Sequence, residues 1–119
     1  MNMERDEAFF DREGFLERLG GSEEMVQIFL EDFLKEMIPW MEELHAAVTE
    51  RSWEEVLQGA HKIKGSAGNM GALGIQRIAR AMESAGTRGD SEELQRLMPS
   101  LVNELERLRM HIEITLLER

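Results

Sequence analysis

His61 is the residue whose type and surroundings are best suited to act as a reactive group. It stands in the stretch GAHKIKGSAGNMGALG, residues 59–74, and Lys62 and Lys64 follow it closely. A neutral imidazole nitrogen is nucleophilic near pH 7 and can hold a covalent phosphoryl group. Phosphoryl transfer depends mainly on positioning and charge neutralisation. Lys64, one helical turn away, could neutralise phosphoryl oxygens as a point charge, and Lys62 could add a weaker long-range field.

The glycines near this histidine predict a bare surface. On a helix, His61 would lie roughly 110° to 120° from the centre of the apolar stripe, toward water. Each glycine inside a helix costs about 1 kcal/mol relative to alanine, and packing does not explain one that points outward. A smooth surface would let another protein's backbone approach. We therefore expect a partner-docking surface formed by the residues within two turns of the histidine: Leu57, Gln58, Gly65 and Gly68.

The charge distribution favours a site for a negative group. The formal net charge is −10, with 24 acidic and 14 basic residues. This average disfavours nucleic acid and anionic membranes as partners. No Asp or Glu occurs from Val56 to Met82. Four basic residues fall in this acid-free segment, namely Lys62, Lys64, Arg77 and Arg80. A local positive island in an acidic chain is suited to holding a phosphoryl group.

The bulk composition predicts one cytoplasmic domain. The chain has 119 residues and no cysteine, which excludes disulfides, thiolate metal sites and cysteine nucleophiles. It has no apolar run of membrane-spanning length, and its first residues lack the apolar region of a signal peptide. We expect a cytoplasmic monomer without a metal site.

Helical periodicity dominates the chain, whereas strand signals are nearly absent. Apolar positions at helical spacing predict five helices, at residues 8–19, 22–49, 52–70, 72–86 and 91–117. Short connections between the four longer helices favour antiparallel packing. The predicted fold class is therefore all-α, an antiparallel four-helix bundle with a short extra N-terminal helix, in a single domain over residues 1–119.

Local signals mark several helix ends. Ser22 is a predicted N-cap, and the pair Ser52 and Glu55 has the spacing of a capping box. Gly71 is a predicted C-terminal stop. Pro39 is expected to kink its helix without ending it, since the apolar stripe keeps its phase across it.

The segment AHKIKGSAGNMGA resembles the signature of histidine-containing phosphotransfer (HPt) domains. That signature reads Ala-His-x-hydrophobic-Lys-Gly-Ser/Ala, with a glycine ten residues after the histidine. The matching positions are His61, Lys64, Gly65, Ser66 and Gly71, with Ile63 where leucine is commoner. The similarity covers nearly the whole chain, including RLGGSEEM before the motif and ARAMESAGTRGD after it.

The resemblance implies a phosphoryl carrier in a two-component phosphorelay. His61 would accept the group from a receiver aspartate, or a kinase, and pass it to another receiver aspartate. It also implies that Lys64 assists the phosphoryl group and that Gly65 keeps the approach clear. The partners would be response-regulator receiver domains, a hybrid histidine kinase, or both. The aspartate and Mg²⁺ would belong to the partner, so this chain would carry no cofactor and no catalytic site of its own.

Glu83 departs from the family pattern. Several HPt domains have glutamine 22 residues after the histidine, where it orients the imidazole, and this chain has Glu83 there. A carboxylate could accept an N–H bond and favour one tautomer, or it could repel the phosphorylated form. Glu83 is therefore a candidate for orienting His61.

Other interpretations remain open at this point. The chain could be an interaction module that docks a receiver or kinase without being phosphorylated. It could also be an HPt domain excised from a hybrid histidine kinase, although Met1 and the lack of linker composition favour a free-standing carrier. Glu42-x-x-His45 has the spacing of di-iron bundles, but His111 is preceded at that spacing by Leu108, so both histidines are expected to be ordinary helix residues.

Overall fold

The structure is a computed structural model that describes the backbone of residues 9–117 and the side chains of residues 9–115. These residues form five helices and no strand: α1 (Arg12–Arg18), α2 (Glu23–Glu50), α3 (Trp53–Met70), α4 (Leu73–Thr87) and α5 (Ser91–Leu117). Each long helix packs against the next one in the chain, and α5 returns to pack against α2. The all-α fold class, a four-helix bundle with an additional N-terminal helix, is confirmed.

The four long helices begin and end within one residue of their predicted bounds. The N-terminal helix is shorter than the predicted 8–19. It begins at Arg12 because the side chain of Asp11 accepts a hydrogen bond from the N–H of Gly14 at 3.0 Å and acts as the N-cap. Residue 8, where the predicted helix starts, lies outside the described residues.

One of the two predicted N-caps is confirmed. The hydroxyl of Ser22 accepts the N–H of Met25 at 3.2 Å. Ser52 precedes α3 but makes no capping bond through its side chain, so the predicted capping box is wrong. The backbone N–H of Ser52 donates instead to the carbonyl of Ala47 at 3.0 Å, which leaves no donor for the Glu55 side chain.

Apolar faces of the four long helices meet in one core. Leu30, Met37 and Leu44 of α2 are fully buried, as are residues at matching spacing on the other helices. α2 continues through Pro39 as a single helix of 28 residues. The core thus fixes which face of each helix points outward. Within the described part of the chain, no helix is both long enough and apolar enough to cross a membrane.

The α3–α4 turn is built on Gly71, the predicted stop. Gly71 has a φ of 74° and ends α3 in the left-handed conformation that favours glycine. A Cβ on this residue would also lie 2.7 Å from the carbonyl oxygen of Asp11. The N–H of Asp11 donates to the carbonyl of Gly71 at 2.8 Å, and Arg18 donates to the carbonyl of Asn69 at 3.0 Å. The turn that sets α3 against α4 is therefore tied to α1.

Candidate functional site

His61 lies near the middle of α3, on the outer surface. Its neighbours Ala60 and Ile63 are fully buried and hold the helix against the core. The His61 side chain itself is 72% exposed. The ring is therefore displayed to solvent on a rigid element, which a group that must meet a second protein requires.

Glu83 of α4, the candidate for orienting His61, lies within hydrogen-bonding distance of that ring. The Nδ1 atom of His61 lies 2.9 Å from Oε2 of Glu83, and since an ionised carboxylate can only accept, Nδ1–H is the donor. A neutral imidazole carries one ring proton, so Nε2 keeps its lone pair. The arrangement leaves Nε2 as the nucleophilic nitrogen.

Lys64 occupies the other oxygen of the same carboxylate. Its Nζ donates to Oε1 of Glu83 at 2.6 Å. The hydrogen bond from Lys64 lowers the pKa of the Glu83 carboxyl, and His61 lowers it further, while partial burial opposes both. We call these three residues the His61 cluster. With a neutral imidazole its formal charge is zero, because Glu83 balances Lys64.

Lys62 belongs to a different surface. Its Nζ lies 4.8 Å from the ring centroid of Trp40 and 3.6 Å from Oε2 of Glu43, both on α2. His61 and Lys64 contact α4 instead. The structure therefore does not bring Lys62 into the His61 cluster, because consecutive helical residues point about 100° apart. The weaker, long-range support of a phosphoryl group by Lys62 stays a prediction.

The two glycines expected on the docking surface have different surroundings. A Cβ on Gly65 would meet no heavy atom within 4 Å, so the surface beside His61 is open there. A Cβ on Gly68 would clash with Nε2 of Gln76 on α4. Gly68 is half-buried, and the end of the Gln76 side chain lies over it, so the surface is less open here than at Gly65. The role of Gly68 in docking stays a prediction.

Leu57 and Gln58 lie one turn before His61 on two sides of α3. Leu57 is half-buried and packs toward α4, where its Cδ2 would lie 3.5 Å from a Cβ on Gly86. Gln58 is exposed and lines a groove of about 530 Å³ between α2 and α3, together with Glu43. Their roles in docking stay predictions.

The other two histidines have separate surroundings. His45 is exposed on α2, while His111 of α5 makes edge-to-face contacts with Phe9 and Phe10 at 6.1 and 5.3 Å between ring centroids. Among residues 9–117, no three metal-ligating side chains come together as a candidate metal site.

Sequence reasoning did not foresee the contact of Gln76 with Gly68 or the bond between Lys64 and Glu83. The sequence did contain a signal that these two side chains share a surface, because Gln76 and Glu83 are seven residues apart and so lie on one face of α4. That both residues face α3 depends on the rotation of α4 about its axis, which the sequence pattern alone places only coarsely.

The family profile described as Hpt domain matches residues 24–111. This range includes α3, α4 and the whole His61 cluster. The chain therefore belongs to the Hpt domain family, the histidine phosphotransfer modules of phosphorelays. No match was found among curated proteins.

Two solved structures share the fold. One is the histidine-containing phosphotransfer protein B (HptB) from Pseudomonas aeruginosa PAO1, with a TM-score of 0.83, 20% identity, and coverage of 93% of this chain and 96% of that one. The other is the HPT domain of a sensor hybrid histidine kinase from Shewanella, with a TM-score of 0.76, 19% identity, and coverage of 95% and 97%. The likeness extends over nearly the full length of each chain.

Proposed function

We propose that this chain carries a phosphoryl group on Nε2 of His61. It takes the group from an aspartyl phosphate of a receiver domain, or from a hybrid histidine kinase, and delivers it to another receiver aspartate. The observation that carries the proposal is the geometry of His61, whose side chain is exposed and whose Nε2 is left nucleophilic by the bond from Nδ1–H to Glu83.

The proposed step balances without a cofactor on this chain. The Nε2 lone pair forms an N–P bond while the P–O bond to the receiver's aspartate breaks, which releases that aspartate as a carboxylate. The Nδ1 proton stays on the ring and is shared with Glu83, whose negative charge stabilises the positive charge that the ring gains. Delivery is the reverse step toward a second aspartate. Mg²⁺ and the aspartate are the partner's contribution.

The motifs of the sequence and the surface around His61 are those expected of a carrier that receives its phosphoryl group from a partner protein. The sequence contains neither G-x-x-x-x-G-K-[ST] nor G-x-G-x-x-G, the loops that would cradle nucleotide phosphates. The open surface at Gly65 leaves room for a receiver to bring its aspartyl phosphate to Nε2. We propose that the chain acts as a monomeric carrier rather than an enzyme, in the cytoplasm, where a chain without cysteine fits the reducing conditions.

The test is transfer of labelled phosphate from purified phosphorylated receivers encoded in the same genome. We expect one of them to label this chain at a single site, with a bond that is acid-labile and base-stable, as a phosphoramidate is. Peptide mapping should place the label in residues 59–74. Labelling at a serine or threonine, or labelling by no receiver and no histidine kinase of that genome, contradicts the proposal and favours a docking module that is not phosphorylated.

A further inference from the structure

We infer that Arg80 supplies the positive charge that a phosphoryl group on His61 requires, because Glu83 has already neutralised Lys64. Arg80 is thus a positioning residue for the phosphorylated state. The inference rests on the proposed function and adds a residue to it.

The charges of the His61 cluster are already balanced within the cluster. Glu83 lies 2.6 Å from Nζ of Lys64 and 2.9 Å from Nδ1 of His61, so its negative charge is shared between them. A phosphoryl group brings between about one and a half and two negative charges at pH 7. Lys62 is directed toward Trp40 on α2. The cluster therefore has no net positive charge to offer a phosphoryl group.

Arg80 lies on α4, about one helical turn from Glu83. It precedes Glu83 by three residues on α4, which places it about 4.5 Å along the helix axis and about 60° around it. Residues at this spacing are neighbours on a helix surface. On α4, Arg80 lies between Glu83, which contacts Lys64 of α3, and Gln76, which lies over Gly68 of α3. Arg80 is therefore level with residues 64–68 of α3.

The Arg80 side chain is available to bind a phosphoryl group. It is exposed, and within residues 9–115 it makes neither a hydrogen bond nor an ion pair. By interpolation between the contacts of Glu83 and Gln76, the exposed Gly65 lies nearest to Arg80 on α3, and a Cβ on Gly65 would meet nothing within 4 Å. A long side chain can therefore extend over Gly65 toward His61, which is one turn away on the same face. The guanidinium also presents a planar set of donors that fits phosphoryl oxygens.

The test uses the isolated chain, so that docking of a receiver plays no part. Phosphoramidate, a small phosphoryl donor, loads His61, and a ³¹P NMR titration follows the last proton of the phosphoryl group. A nearby guanidinium favours the doubly charged form. We expect Arg80→Gln to make the phosphoryl group bind that proton about threefold more tightly, the size of an exposed ion pair.

Two comparisons make the result specific. Lys35→Gln removes the same charge from an exposed position on α2 and should leave the titration unchanged. Glu83→Gln releases Lys64, so in that background Arg80→Gln should have a clearly smaller effect. Such a dependence on Glu83 is not expected of a residue with a merely structural role.

The outcomes separate the inference from the proposed function. If His61 is loaded but the titrations of the wild type and Arg80→Gln coincide, the inference is wrong. The same holds if Arg80→Gln only weakens transfer from a receiver, because Arg80 then acts in docking. If neither phosphoramidate nor any receiver loads His61, the proposed function fails and takes the inference with it.

Discussion

The α3–α4 face and the α2–α5 groove carry one exposed histidine each, yet they differ in what they can do. The groove has a volume of about 730 Å³, and Met41, His45, Val48, Met98 and Val102 are among the residues that line it. The α3–α4 face around His61 is open surface. A carrier that hands its group to another protein needs display rather than enclosure, so the flatter region is the better site.

The two histidines also differ in how their rings are held. His61 donates to Glu83 at 2.9 Å, and Lys64 holds the other oxygen of that carboxylate at 2.6 Å. The ring of His45 has no hydrogen-bonding partner among the described side chains. A carboxylate that fixes the tautomer makes one ring nitrogen a ready nucleophile. The residue type is the same in both places, so the neighbouring helix makes the difference.

The largest effect is expected from replacing the two histidines separately. His61→Gln should abolish labelling by a phosphorylated receiver, since it removes the proposed phosphoryl acceptor. His45→Gln, the matched control in the groove, should be labelled at the wild-type rate. Gel-based transfer assays with one receiver measure both. Undiminished labelling of His61→Gln, or loss of labelling in His45→Gln alone, reverses the roles assigned to the two regions.

The next effect concerns the open surface at Gly65. Gly65→Gln should slow transfer from a receiver by at least about tenfold, since a near-attack geometry tolerates little displacement. Gly65→Ala should slow it far less. Both should fold and gain up to about 1 kcal/mol of unfolding free energy, because glycine is a poor residue in a helix interior.

Stopped-flow transfer rates and urea denaturation of both Gly65 variants give the two quantities. Equal rates for the glutamine and alanine variants mean that bulk at this position does not hinder the partner. In that case another reason for the glycine is needed.

A smaller effect is expected on the free energy of unfolding when Glu83 is replaced. The pKa of Glu83 lies below its ordinary value of 4.5 in the folded chain, chiefly because Lys64 donates to it. A group with a lowered pKa stabilises the fold above its unfolded pKa, and this contribution is lost as the pH falls through the folded pKa. Glu83→Gln should thus cost a few tenths to about 1 kcal/mol at pH 7.

Urea denaturation of wild type and Glu83→Gln between pH 7 and pH 3 tests this. The difference in unfolding free energy between the wild type and Glu83→Gln should shrink toward acid pH. A difference that stays constant over that range shows that the charge of Glu83 does not contribute to stability.

The smallest effect is expected from a substitution in the α2–α5 groove. Val102 is 49% exposed there, so Val102→Gln should change the unfolding free energy by no more than about 0.5 kcal/mol. Labelling by a receiver should stay at the wild-type rate, because the residue lies on the α2–α5 side of the bundle. A clear loss of labelling in a folded Val102→Gln variant connects the groove to transfer and removes the functional difference between the two regions.

Much of the fold is encoded locally. The apolar spacing on α3 predicts both the helix and an outward His61, because 3.6 residues per turn decide which side chains face the core. Gly71 ends α3 as predicted, since its φ of 74° suits glycine. The capping box at Ser52 failed for a reason that is also local, because the C-terminal turn of α2 takes the N–H that the box needs, with the carbonyl of Ala47 as acceptor.

The sequence by itself determined that a histidine is displayed on an amphipathic helix, one turn before a lysine and a bare glycine. Only the tertiary structure decided which residues of α4 these side chains contact. Glu83 reaches His61 and Lys64 because α4 packs on α3 in one register, with Gln76 over Gly68 and Leu57 against Gly86. Helical spacing within one segment is a local property, whereas the register between two helices is set by the packing of their side chains, and that packing exists only in the assembled bundle.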